Sequence, residues 1–488
     1  MSKKHSIKKN YIYNLIYQIT LIIVPVIVTP FSSRALLADG IGKCSFCSSI
    51  ISYFTIFATF GFNIYAQREI AKFQDDKHQQ TKIFWEIFIC KIFTTSISLL
   101  VFGTLLLIGV FGENSNIMLI FSLNILSVAL DISFFFQGNE EFGKIALKNV
   151  IVKIVGTLCI FIFVKNPEDL WIYALIHSLM LISNSVLLWT DIKPEIQKIN
   201  IKELSPTPHL KKSFALFLPT IATSVFLILD KTLIGLITNS DAENGYYEQA
   251  EKIVKLCTTI ITCLGLVMIP RNTQEITNNN HKQVKLNIYK ACNFIWILGI
   301  PMTLGLILIA DIAIPWFLGS SFLHSALLIK IFAPLILIIG LSNILGLQYM
   351  IPYQKDKLYT ISFTIGAISN LILNIFLIYF WKSLGATIAT IIAEAAATIS
   401  MLIFLRKDLS AKEIFKTSIK PLIAGAIMFA SIYPLTTILS SSITNTLIIV
   451  VLAIIIYCIC ILLLREKFAM SILSNVLQKF KFKRRKHQ

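Results

Sequence analysis

Charged residues are scarce in this sequence, and their scarcity excludes a water-soluble globule. Only 14% of the 488 residues are charged, 56% are hydrophobic, and the mean hydropathy is +0.75. No soluble fold can hide that much apolar surface from water. The apolar runs are roughly 20 residues long, which favours membrane-spanning helices over a barrel of roughly 10-residue strands. The sequence therefore predicts an all-α, multi-pass membrane protein.

Other features that the sequence lacks exclude further classes of protein. The nine cysteines are scattered, and the CxxC formed by Cys44 and Cys47 has neither a second pair nor a histidine cluster, so it indicates no metal site. The first apolar segment has no small-residue cleavage site, so we expect it to remain as a helix. The outward connections reach only about a dozen residues, which leaves no room for an extracytoplasmic catalytic domain and counts against an enzyme.

The chain is predicted to hold about fourteen spans, on the criterion of about 20 apolar residues each. We expect a six-helix half at 1–190, a proline-broken linker at 191–212, a second six-helix half at 213–405, and two extra helices with a basic tail at 406–488. The predicted spans are 11–32, 44–66, 83–111, 117–137, 146–164, 169–189, 213–237, 247–269, 287–310, 323–350, 358–380, 384–405, 418–438 and 443–464.

Acidic residues are few relative to basic ones, 26 against 44, and the placement of the excess predicts the orientation. Cytoplasmic loops of membrane proteins carry the positive excess. With the amino terminus inside, about 34 basic residues fall in inside segments and about 4 in outside loops. We therefore expect both termini in the cytoplasm. The net charge of +18 is then a topology signal that needs no nucleic-acid partner, although the basic tail could also touch anionic lipid.

The two halves carry a weak internal repeat. Gly42 precedes Arg68 by 26 residues, and Gly245 precedes Arg271 by 26, so both pairs are related by an offset of 203. Such repeats are common in transporters. Six helices per half would make both halves enter the membrane in the same sense, with a pseudo-two-fold axis along the membrane normal and a substrate path between them.

Four helices at corresponding positions of the halves have a polar face at helical spacing. These faces are Asn10, Asn14, Tyr17, Gln18 and Thr29 in the first; Ser45, Ser48, Ser49, Ser52, Thr55, Thr59 and Asn63 in the second; Ser213, Thr220, Ser224 and Lys231 in the seventh; and Glu248, Glu251, Lys252, Lys255, Thr259 and Thr262 in the eighth. Hydroxyl groups alone are explained by helix-to-helix hydrogen bonding. Four ions on one helix favour the lining of a hydrated cavity.

The ionisable residues leave structural alternatives open. In the eighth helix the Glu-to-Lys spacing of four residues also permits mutual neutralisation, and Asp230 beside Lys231 could pair across helices. The arginines, Arg34, Arg68 and Arg271, lie near helix ends and are either substrate contacts or side chains that reach for lipid headgroups. Lys91, Asp131 and Glu394 are single ions within spans, and the two acids are candidates for proton or sodium sites or for satisfied core acids.

The sequence resembles the Wzx-type polysaccharide repeat-unit flippases of the multidrug/oligosaccharidyl-lipid/polysaccharide exporter superfamily over most of its length. The matching stretches are KKNYIYNLIYQI, VTPFSSRAL, GIGKCSFCSSIISYF, FGFNIYAQREIAK, LDISFFFQGNEEFGKIALKN, KNPEDLWIYALIH, LPTIATSVFLILDKTLIG, NGYYEQAEKIVK and VMIPR. The sequence departs from the expected pattern at Cys44, where an aromatic residue is expected, which argues against a sugar contact at that position.

This resemblance implies a fourteen-helix fold and the translocation of undecaprenyl-diphosphate-linked oligosaccharide across the bacterial plasma membrane, for O-antigen or capsule biosynthesis. It implies partners in membrane lipid and in polysaccharide polymerase machinery, and no cofactor beyond a coupling proton or sodium ion. The substrate residues that it points to are Arg34, Asp131, Gln137, Asp230, Lys231, Tyr246, Tyr247, Glu248, Glu251, Lys252 and Arg271. The arginines near helix ends add Arg68 to this set, and the polar face of the eighth helix adds Lys255.

Three other functions stay open at this point. A multidrug exporter of the same fold is expected to have a less cationic, more acidic and aromatic cavity. A polysaccharide polymerase or ligase is disfavoured because no large outer loop is predicted. A non-transporting envelope scaffold would leave the ion-bearing helices unexplained.

Overall fold

The computed structural model describes residues 7–192, 195–466 and 470, without the side chains of 7–19, 21, 22, 218–220, 222–227, 264, 266 and 267. Within these residues all regular secondary structure is helical. The helices are α1 (Ile7–Thr59), α2 (Phe62–Lys72), α3 (Lys77–Leu107), α4 (Ser115–Leu130), α5 (Ser133–Gly138), α6 (Phe142–Phe163), α7 (Leu170–Ile192), α8 (Thr207–Thr238), α9 (Asp241–Thr277), α10 (His281–Phe317), α11 (Leu323–Phe332), α12 (Leu335–Asn343), α13 (Asp356–Phe404), α14 (Ala411–Lys416), α15 (Ile419–Ile438) and α16 (Ile443–Leu463).

Two of these helices are far longer than one membrane crossing. α1 has 53 residues and is interrupted at Leu37 (φ 59°, ψ −177°), and α13 has 49 residues and is interrupted at Lys382 (φ 49°, ψ −129°). A single crossing needs only about 20 residues. Each interruption falls between two spans that the sequence predicts, so each long helix consists of two segments joined at a sharp kink.

Ten helices of the described chain are long and apolar enough to cross a membrane. The number is eleven if the segments 320–332 and 335–350, bent by 47° relative to each other, form one span. The prediction of an all-α membrane protein is thus confirmed, whereas the predicted count of fourteen is not established. The predicted span 213–237 coincides with the part of α8 whose side chains are only partly described.

Short polar residues begin several helices in the way that the sequence favours. The Asp76 side chain accepts a hydrogen bond from the Gln79 main-chain N–H at 3.0 Å, and Asn280 and Ser442 cap α10 and α16 in the same manner. Such caps satisfy N–H groups that have no partner inside the helix. The helix starts are therefore fixed by local chemistry at the loops between apolar runs.

A π-helix, Ile344–Met350, directly continues α12. A π-turn widens the helix by one residue and is found frequently at functional sites. Here Gln348 and Tyr349 of the π-helix are buried. This segment lines a cavity together with α9 and α10.

One compact unit comprises residues 1–245. In it α1 packs against α3, α4, α6 and α8, and α4 packs against α7. An aromatic cluster of Phe62, Phe84, Phe134, Phe135 and Phe136 fills the interior where α2, α3 and α5 meet. This core holds the short helices in place beside the long ones.

The other compact unit comprises residues 246–488. In it α10 packs against α11, α12, α15 and α16, and α12 packs against α13. The last two long helices share a core with α10 that includes Leu308, Met428 and Tyr457. They are therefore an integral part of this unit.

The compact units do not coincide with the halves that the linker suggests. α8 lies after the linker in sequence but packs against α1 within the first unit, and the division falls inside α9 between Gly245 and Tyr246. The division into repeats at 1–190 and 213–405 stays a prediction.

Candidate substrate site

In the first unit, a hydroxyl cluster joins α1 to α8. Ser49 Oγ lies 3.0 Å from Thr232 Oγ1, and the Tyr53 hydroxyl lies 3.1 Å from the same Thr232 atom. All three side chains belong to apolar helices, where hydroxyls bond across helices because no water is available. At Ser49 the helix-to-helix interpretation of the polar face therefore holds.

The acid–base pair of α8 lies beside this cluster. The Asp230 side chain is buried and Lys231 is half-buried. The Asn244 side-chain amide donates to the Lys231 carbonyl oxygen at 2.8 Å and so ties the first turn of α9 to α8. The main chain at Lys231 is thus tied to α9 within the first unit.

The first unit also contains the predicted residues Arg34, Arg68 and Gln137. Arg34 is exposed on α1, three residues before the kink at Leu37, and Arg68 is exposed on α2. Gln137 is half-buried on α5. The guanidinium groups are accessible, as both the substrate and the headgroup interpretations require.

Asp131 and Lys91 form a local structural arrangement. The Asp131 carboxylate accepts hydrogen bonds from the Ser133 main-chain N–H at 2.9 Å and from the Ser133 hydroxyl at 3.1 Å. The fully buried Lys91 ammonium donates to the Asp131 carbonyl oxygen and lies 5.3 Å from the centre of the Phe134 ring. The Asp131 side chain thus satisfies the Ser133 main-chain N–H at the start of α5, besides its predicted role in ion coupling.

In the second unit, the predicted ions of α9 lie on successive turns of one helix. Glu251 and Lys255 form an ion pair of 2.6 Å in which the carboxylate is largely buried and the ammonium is 54% exposed. Glu248 and Lys252 are half-buried one turn earlier. The pairing expected from the four-residue spacing is present for Glu251 and Lys255, and the Lys255 ammonium still reaches the surface of the unit.

The two tyrosines at the start of this unit differ in environment. Tyr247 is fully buried, its hydroxyl lies 3.1 Å from Thr390 Oγ1, and its ring packs on Phe332. Tyr246 is half-buried against the His324 ring. In this structure Tyr247 is part of the interior. The other predicted acid of the unit, Glu394, is half-buried in α13.

Arg271 lines a cavity of about 340 Å³ within the second unit. The cavity lies between α9, α10 and the segment formed by α12 and the π-helix. Besides Arg271, its polar lining consists of Lys290, Asn287, Asn343 and Gln348. The sequence pattern predicted only Arg271 of these residues, because amides on three different helices give no periodic signal.

A buried network in the first unit was also missed by sequence reasoning. The His209 ring nitrogens lie 2.8 Å from Glu86 Oε2 and 2.7 Å from the Tyr65 hydroxyl. Glu86 Oε1 also accepts from the Ser205 main-chain N–H at 2.7 Å. The presence of Glu86 within the apolar segment of α3 is a sequence feature that could have indicated this network. The network attaches the end of the linker to α2 and α3.

Part of the predicted polar faces lies outside the described side chains. These positions are Asn10, Asn14, Tyr17 and Gln18 of α1 and Thr220 and Ser224 of α8.

Comparison with known proteins agrees with this architecture. Residues 7–274 match the family described as "Polysaccharide biosynthesis protein". The chain is 25% identical over 410 residues to a protein of Escherichia coli (strain K12) named "Putative O-antigen transporter", covering 83% of this chain and 98% of that protein. It is 24% identical over 329 residues to "Lipid II flippase MurJ" of Bacillus subtilis (strain 168), covering 60% of each chain.

Solved structures show the same fold. "Lipid II flippase MurJ, inward closed conformation" superposes with a TM-score of 0.71 at 17% identity, covering 91% of this chain and 98% of that one. An inward-facing "multidrug resistance MATE family transporter of the MOP superfamily" superposes with a TM-score of 0.59 at 13% identity, covering 82% and 96%. These relatives are transporters and flippases, which supports the expectation that the protein is not an enzyme. The chain belongs to the polysaccharide biosynthesis protein family and has the fold of the multidrug/oligosaccharidyl-lipid/polysaccharide exporter superfamily.

Proposed function

We propose that the protein is a flippase that moves undecaprenyl-diphosphate-linked oligosaccharide repeat units from the cytoplasmic to the outer leaflet of the bacterial plasma membrane. The product would serve the biosynthesis of a surface polysaccharide, O-antigen or capsule. Translocation would proceed by alternating access through a central cationic cavity. Both termini would lie in the cytoplasm, where most of the basic residues are placed.

One observation carries this proposal: ionisable side chains follow the face of a helix that is apolar enough to span a membrane. On α9 these are Glu248, Glu251, Lys252 and Lys255, with Arg271 toward the end of the helix. Ions at membrane depth are costly unless they line a hydrated cavity or meet a charged partner. The relatives named as an O-antigen transporter and a lipid II flippase support a lipid-linked glycan as the substrate.

The chemistry of such a substrate fits these side chains. Its diphosphate and sugar hydroxyls cannot cross hydrocarbon unaided, so a carrier needs cations for the phosphates and hydrogen-bonding groups for the sugar. We assign Lys231, Lys252, Lys255 and Arg271 to the diphosphate. The sugar would contact Gln137, Tyr246 and the hydroxyl-bearing faces, while the undecaprenyl chain stays in lipid.

Energy coupling and partners are further parts of the proposal. A proton or sodium gradient would drive the cycle through the carboxylate of Asp131 or Glu394. The polysaccharide polymerase machinery would receive the translocated units at the outer leaflet. No nucleic acid takes part.

The decisive experiment is a lipid-flipping assay in proteoliposomes with the purified full-length protein. We expect Lys231→Ala and Arg271→Ala each to slow flipping by roughly 10- to 100-fold, because a lost charge-assisted hydrogen bond costs about 1.5–3 kcal/mol. Lys412→Ala, an exposed change on α14, is the control and should flip normally. Normal flux in both cavity variants at normal protein levels would refute the cationic-cavity mechanism.

A multidrug exporter is the second candidate, supported by the fold it shares with the multidrug transporter superposed above. That function predicts drug resistance in cells that express the protein. Resistance that persists while lipid flipping is absent would favour the exporter over the flippase.

A further inference from the structure

The cavity of the second unit has a polarity gradient along its length. Near one end, Asn287 Nδ2 donates to Asn272 Oδ1 at 3.1 Å, and Asn272 Nδ2 donates to the main-chain carbonyl oxygen of Gln348 at 2.9 Å. At this end α9, α10 and the π-helix therefore meet through polar amide groups. At the other end, Ile261 and Ile295 both approach Gly340, so the same three elements meet there through apolar atoms. The cavity therefore has a polar end and an apolar end.

The distance between these ends follows from helix geometry. Arg271 lies ten residues from Ile261 on α9, and Asn287 lies eight residues from Ile295 on α10, which corresponds to about 15 Å and about 12 Å at a rise of 1.5 Å per residue. Lys290 lies one turn from Asn287, on the polar side. A ligand that fills the cavity therefore meets cations at one end and hydrocarbon at the other.

The polar end is a built site. Gln283 Nε2 donates to Asn287 Oδ1 at 3.0 Å, which extends the chain of amide hydrogen bonds that ends at the main-chain carbonyl oxygen of Gln348. The Gln348 side chain is only 3% exposed, and its Oε1 makes no hydrogen bond to the described residues. A buried amide group without a partner is costly unless a ligand or water completes it. The Gln348 Nε2 donates to Asn343 Oδ1 at 3.5 Å, and rotation of both side-chain amides would offer the Gln348 N–H groups in place of Oε1.

The charge of the lining has one sign. Among the residues whose side chains are described, Arg271 and Lys290 line the cavity, no acidic side chain does so, and neither cation makes an ion pair. An arginine fork and a lysine point charge are the groups that proteins use for phosphate oxygens. The volume is near the lower end of the range for small-ligand pockets, about 300–1,000 Å³.

We propose that this cavity binds the phosphate headgroup of a lipid, with the lipid chain directed toward Ile261, Ile295 and Gly340. Arg271 and Lys290 contact the phosphate oxygens, and the Gln348 amide completes the polar end. The apolar end selects a lipid-borne phosphate over a free one. This inference rests in part on the proposed function, because Arg271 is shared with the proposed substrate site, but binding alone tests it.

The probe is dihexanoyl phosphatidic acid, titrated against the purified full-length protein in a neutral detergent, with binding followed by native mass spectrometry. Dihexanoyl phosphatidylcholine and inorganic phosphate are the comparison ligands. We expect phosphatidic acid to bind at least about tenfold more tightly than either, because only it combines an exposed phosphate monoester with a chain. Equal affinity for all three, or equal affinity of phosphatidic acid and inorganic phosphate, would overturn the proposal.

Two variants test the charge and the free space of the cavity separately. Lys290→Ala removes a cation, and Ala291→Leu fills space in the lining without a change of charge. Each should weaken phosphatidic acid binding about tenfold, whereas Lys282→Ala, an exposed change on the same helix, should not. Unchanged binding in both lining variants, in preparations that elute and melt as the wild type does, would overturn the proposal.

Competition identifies the source of the phosphate. Displacement of phosphatidic acid by a short polyprenyl diphosphate supports the site as part of the substrate path. Retention of phosphatidic acid against an excess of that diphosphate supports a separate site for membrane phospholipid. If the wild-type protein binds phosphatidic acid but flips no lipid-linked sugar, the proposed function fails and this inference stands.

Discussion

Gly42 and Gly245 lie against each other's helices so closely that neither position has room for a side chain. A Cβ atom on Gly42 would lie 1.7 Å from the Asp241 carbonyl oxygen, and a Cβ atom on Gly245 would lie 2.1 Å from the Ala38 carbonyl oxygen. The contact is reciprocal under the offset of 203, which relates Gly42 to Gly245 and Ala38 to Asp241. Reciprocal contacts are the mark of elements related by a two-fold axis. The weak sequence repeat is therefore matched by a physical contact.

This contact predicts that alanine at either glycine destabilises the protein. Gly42→Ala and Gly245→Ala should each cost about 3 kcal/mol or more, because the added Cβ meets a main-chain oxygen that can move only with its helix. Thermal unfolding in detergent measures the effect. Gly103→Ala and Gly305→Ala have open space around the added atom and are the matched controls. Equal melting temperatures for all four variants would contradict the close approach.

A disulfide can test alternating access at the hydroxyl cluster. The oxygens of Ser49 and Thr232 are 3.0 Å apart, so Ser49→Cys with Thr232→Cys, in a background without the native cysteines, should form a disulfide on oxidation. The disulfide would join a helix of the 1–190 segment to one of the 213–405 segment.

If those two segments separate during transport, the oxidised protein should lose most of its flipping activity and recover it on reduction. The matched controls are the two single-cysteine proteins, which should flip equally under both conditions. Full flipping by the cross-linked protein would show that α8 moves together with α1, as the compact unit 1–245 suggests.

The buried network at the end of the linker predicts a selective loss of stability. His209→Ala removes the partner of both Glu86 and Tyr65 and should cost about 3 kcal/mol, because it leaves a buried carboxylate with less compensation. The control is His78→Ala, since His78 lies 3.7 Å from Glu203 in an exposed pair, which contributes about 0–1 kcal/mol. A melting temperature for His209→Ala equal to that of His78→Ala would show that the network adds no stability.

Conservative variants can separate the two roles of Asp131. Asp131→Asn retains an oxygen for the Ser133 N–H and should preserve stability, whereas Asp131→Ala should cost about 1 kcal/mol through the lost hydrogen bond. Because Ser133 engages both carboxylate oxygens, we expect Glu394 to carry the gradient response. Flipping with and without an imposed proton or sodium gradient measures it. Loss of the gradient response in Asp131→Asn, with Glu394→Gln unaffected, would assign the coupling to Asp131.

Sequence reasoning succeeded where the signal repeats along one helix. The spacing of Glu251 and Lys255 predicted their ion pair, and the offset of 203 singled out Gly42 and Gly245 before their contact was visible. It did not predict the amides around Gln348 or the partners of His209, because those residues come from separate helices whose contacts have no periodic signature.

The sequence by itself determined the class of this protein, because so few ions and so much apolar surface require a membrane, and apolar runs of roughly 20 residues cross it as helices. It also determined which helices carry ions. The tertiary structure decided which helices touch: that α8 packs with α1, that a π-helix lines a cavity beside α9, and that Arg271 shares this cavity with Lys290. In lipid, helices associate through close packing and hydrogen bonds rather than through hydrophobic burial, so a hydropathy pattern does not specify their partners.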